Sequence, residues 1–177
     1  SNTADGLIGA EGKATLQTGV LDNTGGTVFA RGALDIASDG NVLNRGGLLQ
    51  SNAGMAVSAG GTFDNSAGTL DATGAATVEA ARIANVGGQL LAGELGDAGS
   101  ALSLVSAGAL DNRGGTVGSR GGDLFVGTGT VDNRSDGVLV AGRDLVLATG
   151  AVDNSAGTVY AARHLRYENS AGTLGNA

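Results

Sequence analysis

The sequence predicts an all-β fold, a single right-handed parallel β-helix of about eight coils with a 21-residue repeat and three short strands per coil. Three observations carry this prediction. A pattern recurs about every 21 residues along the 177-residue chain, apolar and polar residues alternate with a period of two, and there are 34 Gly but no Pro. Proline would remove a backbone donor from a sheet ladder, so its absence suits a chain that is mostly ladder.

The repeat is centred on an asparagine that is followed three or four residues later by a glycine. It occurs at Asn2, Asn23, Asn44, Asn65, Asn85, Asn112, Asn133 and Asn154, at intervals of 21 residues apart from one of 20 and one of 27. A unit this short cannot bury its own apolar face, so the units must stack. We therefore expect residues 1–177 to form one β-helical domain, a fragment of a longer filament.

Each unit contains three runs that predict strands. The first is a Gly-Thr-Val-x-Ala run, the second is an apolar triplet such as Leu34-Asp35-Ile36, and the third leads into a Leu-Asp-Asn corner. Alternation with a period of two predicts that Leu34 and Ile36 point into the core. The right-handed coiling follows from the usual hand of parallel crossover connections.

The recurring asparagines predict a structural ladder inside the stack. Stacked amide side chains can donate and accept hydrogen bonds from coil to coil while they hold a tight corner. The predicted ladder comprises Asn23, Asn44, Asn65, Asn85, Asn112, Asn133 and Asn154.

A partial row of carboxylates precedes the ladder. Its members are Asp22, Asp64, Asp111, Asp132 and Asp153, and Leu43 and Ala84 interrupt it. Stacked carboxylates repel one another, so the row either faces water or shares a cation such as Ca²⁺. The Gly-Gly-x-Gly-x-Asp pattern of calcium-binding toxin repeats is absent. The solvated face is the favoured interpretation, with no metal and no cofactor.

Two departures from the repeat are candidate binding features. The 27-residue interval holds about six extra residues, which predict a loop with Glu94, Gly96, Asp97, Gly99 and Ser100 as possible ligand contacts. Arg113 and Arg134 each follow a ladder asparagine and are expected to stack on one edge, where they could bind acidic glycans. The favoured interpretations are a tolerated surface insertion for the loop and simple solubilising charge for the arginines.

Several function classes are disfavoured by composition. A net charge of −7 with ten basic residues argues against nucleic-acid binding. No run of 18 apolar residues occurs, so membrane insertion is not expected, and the absence of Cys excludes thiolate metal sites. The single histidine, His164, has no nucleophile motif near it, so no catalytic residue is predicted.

The units Leu110-Asp111-Asn112-Arg113-Gly114-Gly115-Thr116-Val117 and Ala141-Gly142-Arg143-Asp144-Leu145-Val146-Leu147 resemble haemagglutinin repeats of the filamentous haemagglutinin family. The resemblance covers nearly the whole chain. It implies a right-handed β-helical stem at the surface of a Gram-negative bacterium, exported through an outer-membrane two-partner-secretion transporter. The family includes adhesins and the stalks of contact-dependent growth-inhibition toxins.

Three hypotheses of function follow. The favoured one is a non-enzymatic structural stem of a secreted surface protein, used in adhesion or toxin delivery. The second is an adhesive module that binds a receptor or glycan of a host or target cell, and the third, remote one is a polysaccharide-cleaving enzyme. The spacing departs from the 21-residue register at the long coil and at the last copy, Glu168-Asn169-Ser170-Ala171-Gly172-Thr173-Leu174, which begins too early for a full coil.

Overall fold

A computed structural model describes residues 1–169 and 172–177, which form a β-solenoid of about eight turns. No helix occurs in these residues, so the predicted all-β class is confirmed. The strands are β1 (Leu7–Ala10), β2 (Ala14–Thr18), β3 (Leu21–Asp22), β4 (Thr27–Ala30), β5 (Leu34–Ser38), β6 (Val42–Leu43), β7 (Leu48–Ser51), β8 (Met55–Asp64), β9 (Thr69–Ala72), β10 (Ala76–Ala84), β11 (Gln89–Ala92), β12 (Leu102–Asp111), β13 (Thr116–Ser119), β14 (Leu124–Asp132), β15 (Val138–Ala141), β16 (Leu145–Asp153), β17 (Thr158–Ala161), β18 (Leu165–Glu168) and β19 (Leu174–Gly175).

The strands form two parallel sheets that run along the stack. The eight-stranded sheet has the order β1-β4-β7-β9-β11-β13-β15-β17, so each coil adds one strand to it. The eleven-stranded sheet has the order β2-β5-β8-β10-β12-β14-β16-β18, with β3, β6 and β19 paired beside this path. Thr27 pairs with Leu48, which pairs with Thr69, so neighbouring coils are 21 residues apart. This stacking confirms the predicted parallel solenoid, while its right-handed coiling stays a prediction.

The number of strands in a coil changes along the solenoid. The first two coils contain three short strands each, β1 to β3 and β4 to β6, as the sequence predicts. From the third to the seventh coil the second and third strands merge into one strand of nine or ten residues, such as β8, whereas the last coil again has three separate strands, β17 to β19. The pairing of β8 with β10 shifts register between Ala80 and Arg82, where the merged strand bends. Backbone pairing between the coils therefore continues through a bend, where the sequence predicted a gap between two separate strands.

The core is a narrow column of mainly aliphatic side chains between the two sheets. Leu34 is 0% exposed and Ile36 is 2% exposed, whereas Asp35 between them is half-buried and points outward. The corresponding residues of later coils are buried in the same way: Met55, Val57, Leu102, Leu104, Leu124, Val126, Leu145 and Leu147. The inward assignment from the sequence pattern is therefore confirmed.

Residues in the core and on the outer face differ in how they tolerate charge. We expect Val57→Asp to lower the free energy of unfolding by about 3 kcal/mol or more, because it places an unpaired carboxylate among buried side chains. The matched control is Ala56→Asp, whose side chain faces outward; we expect a cost of about 1 kcal/mol or less. Urea denaturation followed by circular dichroism measures both variants. Equal losses would contradict the assignment of the two faces.

Candidate functional site

The ladder asparagines are joined side chain to side chain along the whole solenoid. The Asn23 Nδ2 donates to the Asn44 Oδ1 at 2.7 Å, and the Asn44 Nδ2 donates to the Asn65 Oδ1 at the same distance. Each other consecutive pair from Asn2 to Asn154 is linked by a bond of the same kind, between 2.6 and 2.8 Å long. The side chains are completely buried from Asn23 to Asn133. The amides therefore form one continuous chain of hydrogen bonds inside the protein.

Each ladder amide also satisfies backbone carbonyls at the corner. The Asn65 Nδ2 donates to the carbonyl oxygen of Gly68 in its own coil at 3.1 Å and to that of Gln89 in the next coil at 2.9 Å. The backbone N–H of Gly68 closes the turn by donating to the carbonyl oxygen of Asn65. A buried corner must pair its polar groups internally, and an asparagine has both the donor and the acceptor required.

The close stacking of the coils requires the glycine that lies three or four residues after each ladder asparagine. A Cβ atom placed on Gly68 would lie 2.0 Å from the carbonyl oxygen of Asn44 in the preceding coil, and one on Gly26 would lie 1.8 Å from that of Asn2. The residue before this glycine adopts a positive φ, +65° at Gly25 and +54° at Ala67. The Asn-x-x-Gly spacing thus reflects one tight corner repeated from coil to coil.

The ladder ends at a different asparagine from the one in the last sequence copy. The Asn154 Nδ2 donates to the Asn176 Oδ1 at 2.7 Å, and Leu174 pairs with Val152. Asn169 does not follow Asn154 in the ladder, because the last coil keeps a length of 22 residues instead of shortening. Ser170 and Ala171 of the predicted copy lie outside the described residues. The sequence motif therefore misplaced the final corner.

Arginines and aspartates alternate on the edge beside the ladder. The Arg113 Nε and Nη2 donate to the two carboxylate oxygens of Asp111, both at 2.8 Å, and the Arg113 Nε lies 3.6 Å from the Asp132 Oδ2. Arg134 repeats this arrangement with Asp132 and lies 3.4 Å from Asp153. We call these five residues the arginine edge. Each guanidinium thus bridges the carboxylates of two coils.

The arginine edge relieves the repulsion that the sequence predicted for the carboxylate row. The hydrogen bond from Arg113 lowers the pKa of the Asp111 carboxyl, and the bond from Arg134 lowers the pKa of the Asp132 carboxyl. In residues 1–169 and 172–177, no three His, Cys, Asp or Glu side chains are arranged to hold a metal ion. The calcium alternative therefore has no ligand cluster in this region.

The basic residues of this chain, all of which are described, are all engaged in ion pairs. In each of them a charged side-chain nitrogen lies within 4 Å of a carboxylate oxygen. The ten residues are Lys13, Arg31, Arg45, Arg82, Arg113, Arg120, Arg134, Arg143, Arg163 and Arg166. The donors of Arg113 and Arg134 that would clamp an acidic glycan already hold aspartates. Seven acidic side chains have no such partner: Asp5, Asp22, Asp39, Glu79, Glu94, Asp97 and Asp136. The uncompensated surface charge is therefore negative.

The predicted loop lies between β11 and β12, where nine residues replace the usual turn of three or four. Its residues 94–99 are exposed, whereas Ser100 is buried. The Asp97 carboxylate accepts hydrogen bonds from the Gly99 N–H and the Ser100 hydroxyl, and the bond from Ser100 lowers its pKa. Arg143 reaches the loop from a later coil and donates to the carbonyl oxygen of Ala98 at 3.3 Å. The polar side chains therefore close and anchor the loop itself.

His164 lies on the surface at the C-terminal end of the solenoid. Its Nδ1 is 3.0 Å from the Asp144 Oδ1, and Arg163 contacts the same carboxylate. Its side chain is 78% exposed. His164, Arg163 and Asp144 thus form a hydrogen-bonded cluster on the surface.

The fold, the internal ladder and the paired surface charges define a structural module of stacked coils. The family model for the haemagglutinin repeat matches residues 1–67, 30–114 and 116–177, so the chain belongs to the haemagglutinin-repeat family. This confirms the resemblance to filamentous haemagglutinins. Proteins of the family are secreted surface adhesins exported by the two-partner route.

No curated protein and no solved structure matches the chain. None of its described residues belongs to a helix long and apolar enough to cross a membrane.

Loss of one ladder amide should destabilise the solenoid. We expect Asn65→Ala to lower the free energy of unfolding by about 2 kcal/mol, because the buried donor of Asn44 and the carbonyl of Gln89 lose a partner. Asn52→Ala is the matched control, since Asn52 is exposed and lies outside the ladder; it should change stability by less than about 0.5 kcal/mol. Denaturant titration measures both. An Asn65→Ala protein as stable as the control would refute a stabilising ladder.

Two adjacent substitutions at one corner should have opposite effects. Ala67→Gly should stabilise the protein by about 0.5–1 kcal/mol, because glycine adopts the positive φ of this position without strain. Gly68→Ala should destabilise it by about 2 kcal/mol or more, because the new Cβ would overlap the carbonyl oxygen of Asn44. Thermal melting distinguishes the two variants. Shifts of the same sign would show that the corner geometry is misassigned.

The arginine edge predicts a measurable change in titration. Asp111 has a lowered pKa in the folded state, so its stabilising contribution is present above the unfolded pKa and is lost as the pH falls through the folded value. Arg113→Gln should raise the pKa of Asp111 in the folded state, so that its stabilising contribution is smaller and its loss is complete at a higher pH. Carboxyl titration by NMR measures the change, with Arg31→Gln, which removes the pair with Glu11, as control. An unchanged Asp111 titration in Arg113→Gln would contradict the pairing.

Proposed function

We propose that this segment is a load-carrying stem that displays other parts of a secreted surface protein. The observation that supports the proposal best is the uninterrupted asparagine ladder, which links all coils from Asn2 to Asn176 through hydrogen bonds that are buried as far as Asn154. A repeated interface of this kind gives length at a constant cost per coil. Such a rod suits a spacer between a cell surface and a target.

Membership of the family supports a role at the bacterial surface. Because haemagglutinin-repeat proteins are two-partner-secretion exoproteins, we infer that the parent chain passes through an outer-membrane transporter before the coils stack. The tip that the stem displays serves either adhesion or the delivery of a toxin to a neighbouring cell. The haemagglutinin-repeat family is structural and adhesive rather than typically enzymatic, which supports the same role.

The open ends of the stack support a place within a longer filament. In the described residues, β1 pairs only with β4 and β2 only with β5 at one end, while β17 pairs only with β15 and β18 only with β16 at the other, so the strands of each end coil have an unpaired edge. Apolar side chains are exposed there, with Leu7 71% and Leu165 55% accessible. Bare parallel edges invite another strand, and the interface that would cover them is the coil-to-coil contact already repeated within this segment. We therefore propose that residues 1–177 are one unit of a continuing solenoid.

Removal of one whole coil tests the stem. Deletion of residues 24–44 joins Asn23 to Arg45 and preserves both the ladder and the inward pattern, so the shortened chain should fold, be exported and support normal tip activity. Deletion of residues 24–34, about half a coil, should abolish folding because it reverses the faces of the following strand. The comparison is made in the secreted protein that carries the segment, by surface quantity and target-cell activity.

Two outcomes would contradict the stem. If the whole-coil deletion folds and reaches the surface but abolishes target-cell activity, the coil has a specific role and is not a spacer. Cleavage of an acidic polysaccharide by the purified segment would show an enzymatic role instead.

A further inference from the structure

The outer face of the eleven-stranded sheet contains a groove that the stem role does not require. It is a depression of about 390 Å³ that crosses the strands β2, β5, β8 and β10. Small residues such as Ala37 and Ala56 form part of its lining. Ile36 and Val57 also line it, together with six residues that have polar side chains: Thr15, Gln17, Asp35, Ser58, Thr77 and Glu79. We call this surface the outer groove. Hydroxyl, amide and carboxylate groups around a shallow trough suit a ligand that carries many hydroxyl groups.

An exposed aromatic side chain lies on the same sheet face further along the solenoid. Phe125 points outward and is 38% exposed, although most outward positions in this chain are small or polar. Its ring covers Gly127, since a Cβ on this glycine would lie 2.7 Å from the Phe125 Cε1. Val105 and Val146 pair with Gly127 and Phe125 in the adjacent coils. The ring therefore forms a platform with aliphatic neighbours, on which an apolar sugar face or a cation can stack.

The platform and the outer groove are aligned along the solenoid axis. Glu79 in the groove pairs with Val105, which in turn pairs with Gly127 beneath the Phe125 ring. Two coil spacings separate Glu79 from the platform, a distance of roughly 10 Å. An extended oligomer that runs parallel to the axis can therefore touch both, whereas a single small molecule cannot.

The charges of this surface select the kind of oligomer. Glu79 is exposed and has no ion-pair partner, while Asp35 is paired with Lys13 at 2.6 Å. Because every basic residue is committed to an ion pair, the face has no free cation to bind sulfate or carboxylate groups. A net charge of −7 further opposes acidic polymers. The surface complements a ligand that is neutral or positively charged.

We propose that the outer groove and the Phe125 platform together bind a linear glycan that contains amino sugars. A sugar ring stacks on Phe125, an ammonium group two coils away pairs with Glu79, and the hydroxyl groups contact Thr15, Ser58 and Thr77. This binding goes beyond the proposed stem role and does not depend on the arginine edge or on the 94–100 loop. It gives the stem a side-on contact with amino-sugar polymers of cell envelopes or matrices.

The test is direct binding of three glycan probes to the purified 177-residue chain. Calorimetry compares a glucosamine oligomer, its fully N-acetylated form and heparin. We expect the glucosamine oligomer to bind best and heparin not to bind. Phe125→Leu keeps an apolar cover over Gly127 but removes the aromatic face, and Glu79→Gln removes the charge; each should weaken binding about fivefold. Unchanged melting curves establish that both variants are folded.

Matched controls distinguish the groove from diffuse attraction. Glu94→Gln removes another unpaired carboxylate, and Tyr160→Leu removes an exposed aromatic ring of the other sheet. Both should bind the glucosamine oligomer as the unsubstituted chain does. The proposal is overturned if the oligomer does not bind, if heparin binds equally well, or if Glu94→Gln weakens binding as much as Glu79→Gln. These outcomes leave the stem proposal unaffected, because the stem is tested by coil deletion.

Discussion

The whole solenoid depends on one requirement: the carbonyl groups of each tight corner are buried against the next coil and need donors. The ladder asparagine meets this requirement, since its amide donates to the next amide and to corner carbonyls in two coils. The glycine that follows lets the coils approach closely enough for these bonds. A corner with a larger residue at that glycine or without the amide would separate the coils, and the flanking strands would lose their partners. The hydrogen bonds at the corners and the pairing of the strands in the sheets therefore depend on each other.

This constraint explains why the fold could be read from the sequence. The 21-residue spacing and the alternation at positions such as Leu34 and Ile36 directly encode the stacking and the core. Side-chain pairing across coils is encoded less directly. The sequence offers Arg113 as a possible glycan contact or as solubilising charge, and it does not show that the Arg113 guanidinium lies 2.8 Å from Asp111, two residues earlier. Asn169 matched the motif, yet Asn176 occupies the corner, because the length of the coil outweighs the local motif.

The surface is less regular than the interior. The proposed binding face lies where the outward side chains depart from the repeat. Ion pairs use all the basic residues, so the free charge that remains is acidic and local, as at Glu79. Phe125 could be seen in the sequence as an outward residue, but its position over Gly127 and its alignment with Glu79 needed the strand pairing. Inward positions thus specify the rod, while outward positions are free to acquire contacts with other molecules.

Hydrogen exchange of the side-chain amides tests the central claim most directly. The Nδ2 protons of Asn44, Asn65 and Asn112 should be protected by several orders of magnitude relative to those of the exposed Asn52, and nearly as strongly as the backbone amides of the core strands. Such protection would show that the ladder opens only when coils separate. Exchange of the ladder amides as fast as that of Asn52 would contradict the account, because the corners would then be held by something other than the asparagines.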